Sequence, residues 1–202
     1  MVTAGILGDP TVDPMTVFVL LLRGVNVGGR NKLPMQQLRE ELTSAGFADV
    51  RTYIQSGNVI ASAPASDAEA VAAHTRSVIA RVFHLDVPAI ALTAAELVAL
   101  AAANPYADEP DPKRVHAIVL PYEATEAIRH GIAHRQSASE TAGSRGTVTV
   151  IGRTAYLHTP DGFGTSRLAA ALLSGGSSPL ADGTARNWAT ITALLGMLEA
   201  PA

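Results

Sequence analysis

The fold of this chain is decided by an apolar run and the polar loop behind it, Val17-Phe18-Val19-Leu20-Leu21-Leu22 and Arg23-Gly24-Val25-Asn26-Val27-Gly28-Gly29-Arg30-Asn31-Lys32. The run is short and continuous, which predicts a strand buried on both faces. The loop contains three cations, two asparagines and three glycines. Glycine is favoured where the backbone takes positive φ or approaches another group closely. We therefore expect a tightly folded loop at the end of a central strand.

Outward from this loop, the first half of the chain predicts the order strand, helix, strand, strand, helix, strand. Pro34 suits a first helical turn and Gly46 suits a helix end. The turn Ser56-Gly57-Asn58, with Asn58 in the left-handed conformation, separates two strands. The predicted elements are a strand at 17–22, a helix at 34–45, strands at 50–54 and 58–61, a helix opened by Ser66 and Glu69 at capping-box spacing, and a strand at 87–92.

The second half repeats most of this order. Thr93 and Glu96 form another capping box, which begins a helix that ends at Asn104-Pro105. The predicted elements that follow are a connector at 106–113, a strand at 115–120, a helix at 123–133, a mobile polar loop at 137–146, a hairpin of strands at 147–151 and 154–158, and a helix at 166–173. A terminal amphipathic helix around Trp188 takes the place of a last strand.

These patterns predict an α+β protein with two ferredoxin-like subdomains of the β-α-β-β-α-β type, packed together and followed by a C-terminal helix. The predicted divisions are a flexible N-terminal tail at 1–15, an N-terminal subdomain at 16–93, a linking helix and connector at 94–113, and a C-terminal subdomain at 114–202.

Composition excludes several classes of protein. The 202 residues are 48% hydrophobic and carry a net charge of −3, which does not suit indiscriminate nucleic-acid binding. Cysteine is absent, so the chain has no disulfide, thiolate nucleophile or cysteine-based zinc site. No apolar run approaches the roughly 18 residues that a membrane span requires. We expect a cytoplasmic protein without a membrane partner.

The glycine-rich loop is the strongest candidate for a binding site. Main-chain amides at Gly28 and Gly29, with nearby cations and a helix start, are features of sites that hold small anions. Neither the Walker A nor the GxGxxG spacing is present. The alternative is a structural turn in which Arg23 and Asn26 bond to backbone. The predicted ligand-binding residues are Arg23, Asn26, Gly28, Gly29, Arg30, Asn31, Lys32, Ser56, Asn58 and Arg186.

Two segments outside the loop belong to this prediction. We expect Gln55–Asn58 to lie beside the loop at one edge of the N-terminal sheet, and Arg186 to face both across the groove between the halves. Asn187 is expected to cap the last helix while Trp188 packs in the core.

No catalytic residue, cofactor or metal site is identified. Ser56 lacks a histidine or aspartate at diagnostic spacing and is better explained as a turn residue. His116 and His158 lie on predicted strands, where they and Asp161 would form a metal or acid-base cluster if they met across the sheet. Rings satisfied by backbone groups are the favoured explanation. The sequence therefore supports ligand binding without naming a reaction.

Three segments, Leu22–Gly29, Asn31–Met35 and Tyr53–Val59, resemble the hallmark segments of the bacterial domain-of-unknown-function family 1697. Later segments resemble that family in the same order: Asn104-Pro105, His158–Gly162 and Ala185–Trp188. The resemblance runs from about Thr16 to the C-terminus, with the 137–146 loop as a departure. It implies a two-part α+β fold of ferredoxin-like units and supplies no catalytic residues.

Two other function classes remain open. Ferredoxin-like sheets of RNA-binding modules stack bases on aromatic side chains, but here only Tyr53 and Tyr156 offer platforms, so RNA or single-stranded nucleic acid is a disfavoured partner. A protein-interaction or self-associating module would use the alanine-rich helices at 94–103 and 166–173. The sequence does not determine the oligomeric state.

Overall fold

The computed structural model describes residues 15–28, 31–64, 67–174 and 177–200. Residues 1–14 of the tail predicted at 1–15, and the loop residues Gly29 and Arg30, lie outside the described residues. The first half contains strand β1 (Thr16–Leu22), helix α1 (Met35–Ser44), strands β2 (Ala48–Tyr53) and β3 (Asn58–Ala63), helix α2 (Ala68–Phe83), strand β4 (Ala89–Thr93) and helix α3 (Ala94–Ala102).

The second half follows the same order. It contains strand β5 (Val115–Val119), helix α4 (Glu126–Thr141), strands β6 (Thr147–Ile151) and β7 (Thr154–His158), a short 3-10 turn (Phe163–Thr165), helix α5 (Arg167–Leu173), strand β8 (Thr184–Asn187) and helix α6 (Trp188–Glu199). No described helix is both long and apolar enough to cross a membrane.

The strands form two antiparallel sheets with equivalent topology. The first sheet has the order β2-β3-β1-β4 and the second the order β6-β7-β5-β8. Each is the ferredoxin-like arrangement, in which the first and third strands of a unit are central. The predicted α+β fold of two such units with a C-terminal helix is confirmed.

Helices cover both faces of each sheet. One core lies between the first sheet and helices α1 and α2, and another between the second sheet and α4 and α5. The third core is shared by both halves, because the other faces of the two sheets meet helices α3 and α6. Its fully buried residues are Val19, Leu21, Ile60, Ile90, Leu92, Leu97, Leu100, Ala117, Val119, Tyr156, Ile191 and Leu194.

The prediction that a helix replaces the last strand is wrong, because β8 precedes α6 and pairs with β5. This strand has only four residues, Thr184-Ala185-Arg186-Asn187, and none is a large aliphatic side chain. The buried positions of this strand are Thr184 and Arg186, which are polar, so a pattern of hydrophobic residues does not reveal the strand. Asn187 ends β8 and also caps α6, where its Oδ1 accepts from the Thr190 amide at 2.9 Å.

The prediction of a mobile loop at 137–146 is also wrong for the first half of that range, because α4 continues to Thr141. Small polar residues there remain helical because Ile132 and Ser139 are buried and because Gln136 bonds Glu140 one turn later at 2.9 Å. At the start of α2, Ser66 lies outside the described residues. The residue that caps this helix is Asp67, which accepts from the Glu69 amide at 2.9 Å.

Candidate functional site

Asn26 joins the 23–32 loop to the turn between β2 and β3. Its Nδ2 donates to the carbonyl oxygens of Leu33 at 2.9 Å and Gln55 at 2.7 Å, and its Oδ1 accepts from the Leu33 amide at 2.9 Å. The backbone of Asn26 is left-handed, with φ of 54°. The loop and the 54–57 turn therefore lie side by side at one end of the first sheet.

A second asparagine closes the loop on itself. Asn31 is also left-handed, with φ of 45°, and its Nδ2 donates to the carbonyl oxygen of Gly24 at 3.1 Å. The Asn26 amide donates to the carbonyl oxygen of Asn31 at 3.1 Å. The Asn26 side chain thus bonds backbone groups, as the structural alternative expects, and the Asn31 side chain bonds a backbone group of its own loop.

Arg186 is the centre of the contact between the two halves at this place. Its side chain extends from β8, where the residue is 8% exposed. Nε donates to Oδ1 of Asn58, and Nη2 donates to the carbonyl oxygens of Leu22 at 2.7 Å, Ser56 at 3.1 Å and Gly57 at 3.2 Å. Nη1 donates to Thr184 Oγ1 and to the Ala185 carbonyl oxygen, both at 2.9 Å. Every nitrogen of the guanidinium has a protein acceptor.

The buried cation has no carboxylate beside it among the described residues, and carbonyl and amide oxygens solvate it instead. Burial lowers the pKa of Arg186 to about 10, so the guanidinium is charged at neutral pH. A buried charge is retained only where hydrogen bonds replace its lost water. Arg186 therefore joins the second sheet to the ends of β1 and β3.

The turn between β2 and β3 differs from the prediction in its backbone. Asn58 is not left-handed; it is the first residue of β3 and is fully buried. The left-handed residues are Ile54, with φ of 48°, and Gly57, with φ of 74°. Asn58 is held in the strand because its Nδ2 bonds Ser56 Oγ at 2.9 Å while its Oδ1 accepts from Arg186.

Among the described cations of the predicted site, Arg23 and Lys32 remain accessible at the loop. Arg23 is half-buried, its guanidinium donates to the carbonyl oxygen of Ala181, and its amide donates to the carbonyl oxygen of Pro88 at 2.9 Å. Lys32 is exposed and makes no hydrogen bond or ion pair to any described residue. Two residues on, Pro34 occupies the N-cap position of α1 without a side-chain cap, and the first turn contains no acidic residue.

The structure therefore divides the predicted site residues into two groups. Asn58 and Arg186 are buried and hydrogen-bonded to each other. The side-chain amide of Asn26 is hydrogen-bonded to backbone groups. Gly28, Asn31, Lys32 and Ser56 keep at least part of their surface exposed, as does Arg23. Sequence reasoning missed Thr184, the partner of Arg186, because the strand that contains it was not recognised.

The two strand histidines do not form a cluster. His116 pairs with Leu157 while His158 pairs with Val115, so the two rings lie on opposite faces of the second sheet. His158 bonds Oε2 of Glu109 at 2.7 Å and stacks on Tyr106. The Asp111 amide and the His158 ring hold the pKa of Glu109 below its usual range. Within the described residues, no group of three potential metal ligands is found.

His116 is expected to make stability depend on pH in the mildly acidic range. Burial lowers the pKa of His116 from 6.5 to about 4. Between those values the unfolded chain binds a proton at this residue and the folded chain does not, so the free energy of unfolding decreases as the pH falls. The full loss is about 3 kcal/mol and is reached near pH 4.

Urea denaturation of wild type and His116→Phe at pH 7 and pH 4 measures this effect. Carboxylates contribute to acid destabilisation in both proteins, so only the difference between them reports on His116. We expect the variant to lose about 3 kcal/mol less than wild type over this interval. Equal losses in the two proteins would contradict the assignment.

Comparisons with known proteins agree with this fold. A family model described as "Protein of unknown function (DUF1697)" matches residues 15–149. A solved structure of a conserved bacterial protein from Streptococcus pneumoniae is similar with a TM-score of 0.66 and 25% sequence identity, over 92% of this chain and 99% of that one. No curated protein matches the chain.

Proposed function

This chain belongs to the DUF1697 family of proteins of unknown function, and we propose that it binds a small anionic ligand, one that bears a phosphate or carboxylate group, at the 23–32 loop and the start of α1. One observation carries the proposal. Helix α1 begins at Met35, and Pro34 at its N-cap position offers no side-chain cap. The first turn contains no acidic residue, and the exposed Lys32 lies two residues before Pro34.

The start of α1 supplies donors for an anion. The first amides of a helix have no partner within the helix, and the helix dipole favours negative charge there. Gln36 and Gln37 of this first turn are exposed. Nearby acidic residues usually offset this potential in part, and α1 has none in its first turn. An anion would take the place that a capping side chain fills elsewhere, as Thr93 does at α3.

The described residues of the loop support this role because side-chain hydrogen bonds hold them without a ligand. Asn26 and Asn31 donate to backbone carbonyl oxygens of Leu33 and Gly24, and Arg186 donates to the Ser56 carbonyl oxygen in the neighbouring turn. A preformed site loses less conformational entropy on binding. Lys32, Arg23 and the Gly28 amide are the proposed contacts, whereas Arg186 and Asn58 support the site from the interior. The lack of cysteine suits a cytoplasmic location for this binding.

The nucleic-acid alternative loses one of its platforms. Tyr156 is 1% exposed, and its hydroxyl donates to the carbonyl oxygen of Leu100 at 2.7 Å inside the shared core. It is therefore not a surface on which a base can stack. A fluorescence or gel-shift titration of RNA in low salt remains the direct test of this class of partner.

Titration of wild type with inorganic phosphate, nucleotides and phosphorylated metabolites tests the proposed function. The double variant R23A/K32A is expected to bind the same probe at least about tenfold more weakly, because each charge-assisted bond contributes about 1.5–3 kcal/mol. The matched control is R76A/R81A, which removes the same charge from the exposed face of α2 and should bind as wild type does. Equal affinity of R23A/K32A and wild type, or no binding of any probe, would refute the proposal.

A further inference from the structure

His116 lies beside a cavity on the second half of the fold. The cavity has a volume of about 600 Å³ and is bordered by the end of the connector, the 160–163 turn and Asn187. The His116 ring is only 9% exposed and stacks on Phe163, with 3.9 Å between ring centroids. It thus forms the floor of an open cavity that is large enough for a small metabolite.

The hydrogen bonds of His116 are incomplete. Its Nδ1 is buried and has no hydrogen-bond partner among the described residues. Its Nε2 makes no hydrogen bond to a described residue either, and it is the ring nitrogen that keeps access to the cavity. Buried polar groups without partners are rare in folded proteins and call for an explanation. A ligand in the cavity supplies a partner for Nε2.

The burial of Nδ1 decides which tautomer the ring adopts. A neutral imidazole carries one N–H donor and one acceptor nitrogen, and burial lowers the pKa of His116 to about 4, so the ring is neutral at pH 7. An orphaned buried N–H is rarer than an orphaned acceptor. With the proton on Nε2, the buried Nδ1 is the unpaired acceptor and the ring presents a donor to the cavity.

The charged groups at the rim favour an anion. The carboxylate of Asp161 is paired with Arg145, and that of Asp111 is paired with Arg114, which also contacts Glu109 at 4.0 Å. Lys113 also borders the cavity, is exposed and forms no ion pair with a described residue. Pro160 and Phe163 contribute apolar surface. A donor on the floor, a cation at the rim and apolar walls match a small organic oxyanion.

We infer that this cavity is a second ligand site, which takes a small molecule bearing a carboxylate or phosphate group, with His116 Nε2–H as donor and Lys113 as counter-charge. The site is independent of the 23–32 loop, because it shares no residue with that loop and is built on the opposite half of the fold. Phosphate and carboxylate share the same acceptor chemistry, and the experiment separates them.

The test uses the full chain labelled with ¹⁵N and titrated at constant ionic strength with acetate, benzoate and inorganic phosphate. Imidazole ¹⁵N signals of the free protein should show the Nε2–H tautomer at His116, and one probe should shift these signals with saturation. Benzoate above acetate would identify an organic carboxylate, and phosphate alone would identify a phosphorylated ligand. A dominant Nδ1–H tautomer, or shifts that grow linearly without saturation for all three probes, would overturn the inference.

Variants separate this site from the loop. His116→Phe keeps the stack on Phe163 and removes the donor, and it should bind the active probe at least about tenfold more weakly. Lys113→Met should weaken binding by a similar factor, whereas Arg81→Met, which replaces an exposed cation of α2, should leave the affinity unchanged. Unchanged affinity in both His116→Phe and Lys113→Met would also overturn it. Loss of affinity in Lys32→Met alone would assign the probe to the loop and refute this second site.

Discussion

Replacement of Arg186 by alanine is expected to lower the free energy of unfolding by about 4 kcal/mol and the melting temperature by about 10 °C. The guanidinium bonds the side chain of Asn58 and the carbonyl oxygens of Leu22, Ser56 and Gly57. Removal takes this donor from the buried Asn58 Oδ1 and from the carbonyl oxygens, of which that of Gly57 still accepts from the Leu22 amide at 2.8 Å. A buried acceptor left without a donor costs about 1–3 kcal/mol. A cavity at the contact between the two halves adds to the loss.

Two comparison variants make this result specific. Arg186→Lys keeps the charge but lacks the planar fork, so it should recover only part of the stability. Arg167→Ala removes an exposed arginine that bonds one carbonyl oxygen, that of Ala142 at 3.1 Å, and should cost less than about 1 kcal/mol. Chemical denaturation of wild type and the three variants at pH 7 gives the free energies of unfolding. A loss for Arg186→Ala no larger than that for Arg167→Ala would contradict the role assigned to Arg186.

Gly57→Ala is expected to destabilise the chain by about 3 kcal/mol, through two separate effects. Gly57 has φ of 74°, which an alanine adopts at a cost of about 1 kcal/mol. An added Cβ would also lie 2.5 Å from Val25 Cγ2 and 2.7 Å from Leu22 Cβ, both in the core. Overpacking of that kind costs about 1–3 kcal/mol.

Gly24→Ala provides the matched control for this prediction. Its φ of 68° is almost the same, and no atom of a described residue other than its chain neighbours lies within 4 Å of the position that its Cβ would take. Gly24→Ala should therefore cost only the backbone strain of about 1 kcal/mol. The difference between the two variants in urea denaturation measures the clash against Leu22 and Val25. Equal losses would show that the turn moves to accommodate the methyl group.

Much of the fold could be predicted because its signals are local. The run 17–22 is apolar throughout and becomes the central strand β1, and the capping box of Thr93 and Glu96 begins α3 as expected. Strand β8 could not be predicted, because its burial comes from pairing with β5 and from the hydrogen bonds of Arg186. Tertiary contacts of that kind leave no periodic hydrophobic pattern in four residues.

The proximity of the 23–32 loop to the 55–58 turn was predictable, and the hydrogen bonds between them were less so. Glycines, cations and a helix start indicate that the 23–32 loop and the 55–58 turn are special, and Asn26 does join them. Sequence alone does not tell a buried arginine from an accessible one, so Arg186 and Asn58 were grouped with Lys32. The cavity beside His116 is formed where the 160–163 turn packs near β5. The position of that turn depends on tertiary packing in the second half, which the sequence pattern does not show.

The shared core makes the protein resemble a tethered pair of subunits. Each unit ends with a strand that passes directly into a helix, at Thr93–Ala94 and at Asn187–Trp188, and the two helices contact each other between the sheets. The surface that holds the units together is the kind that joins two chains in an obligate dimer. The connector keeps the partners at an effective concentration on the order of millimolar or higher, so their association does not depend on the amount of protein present.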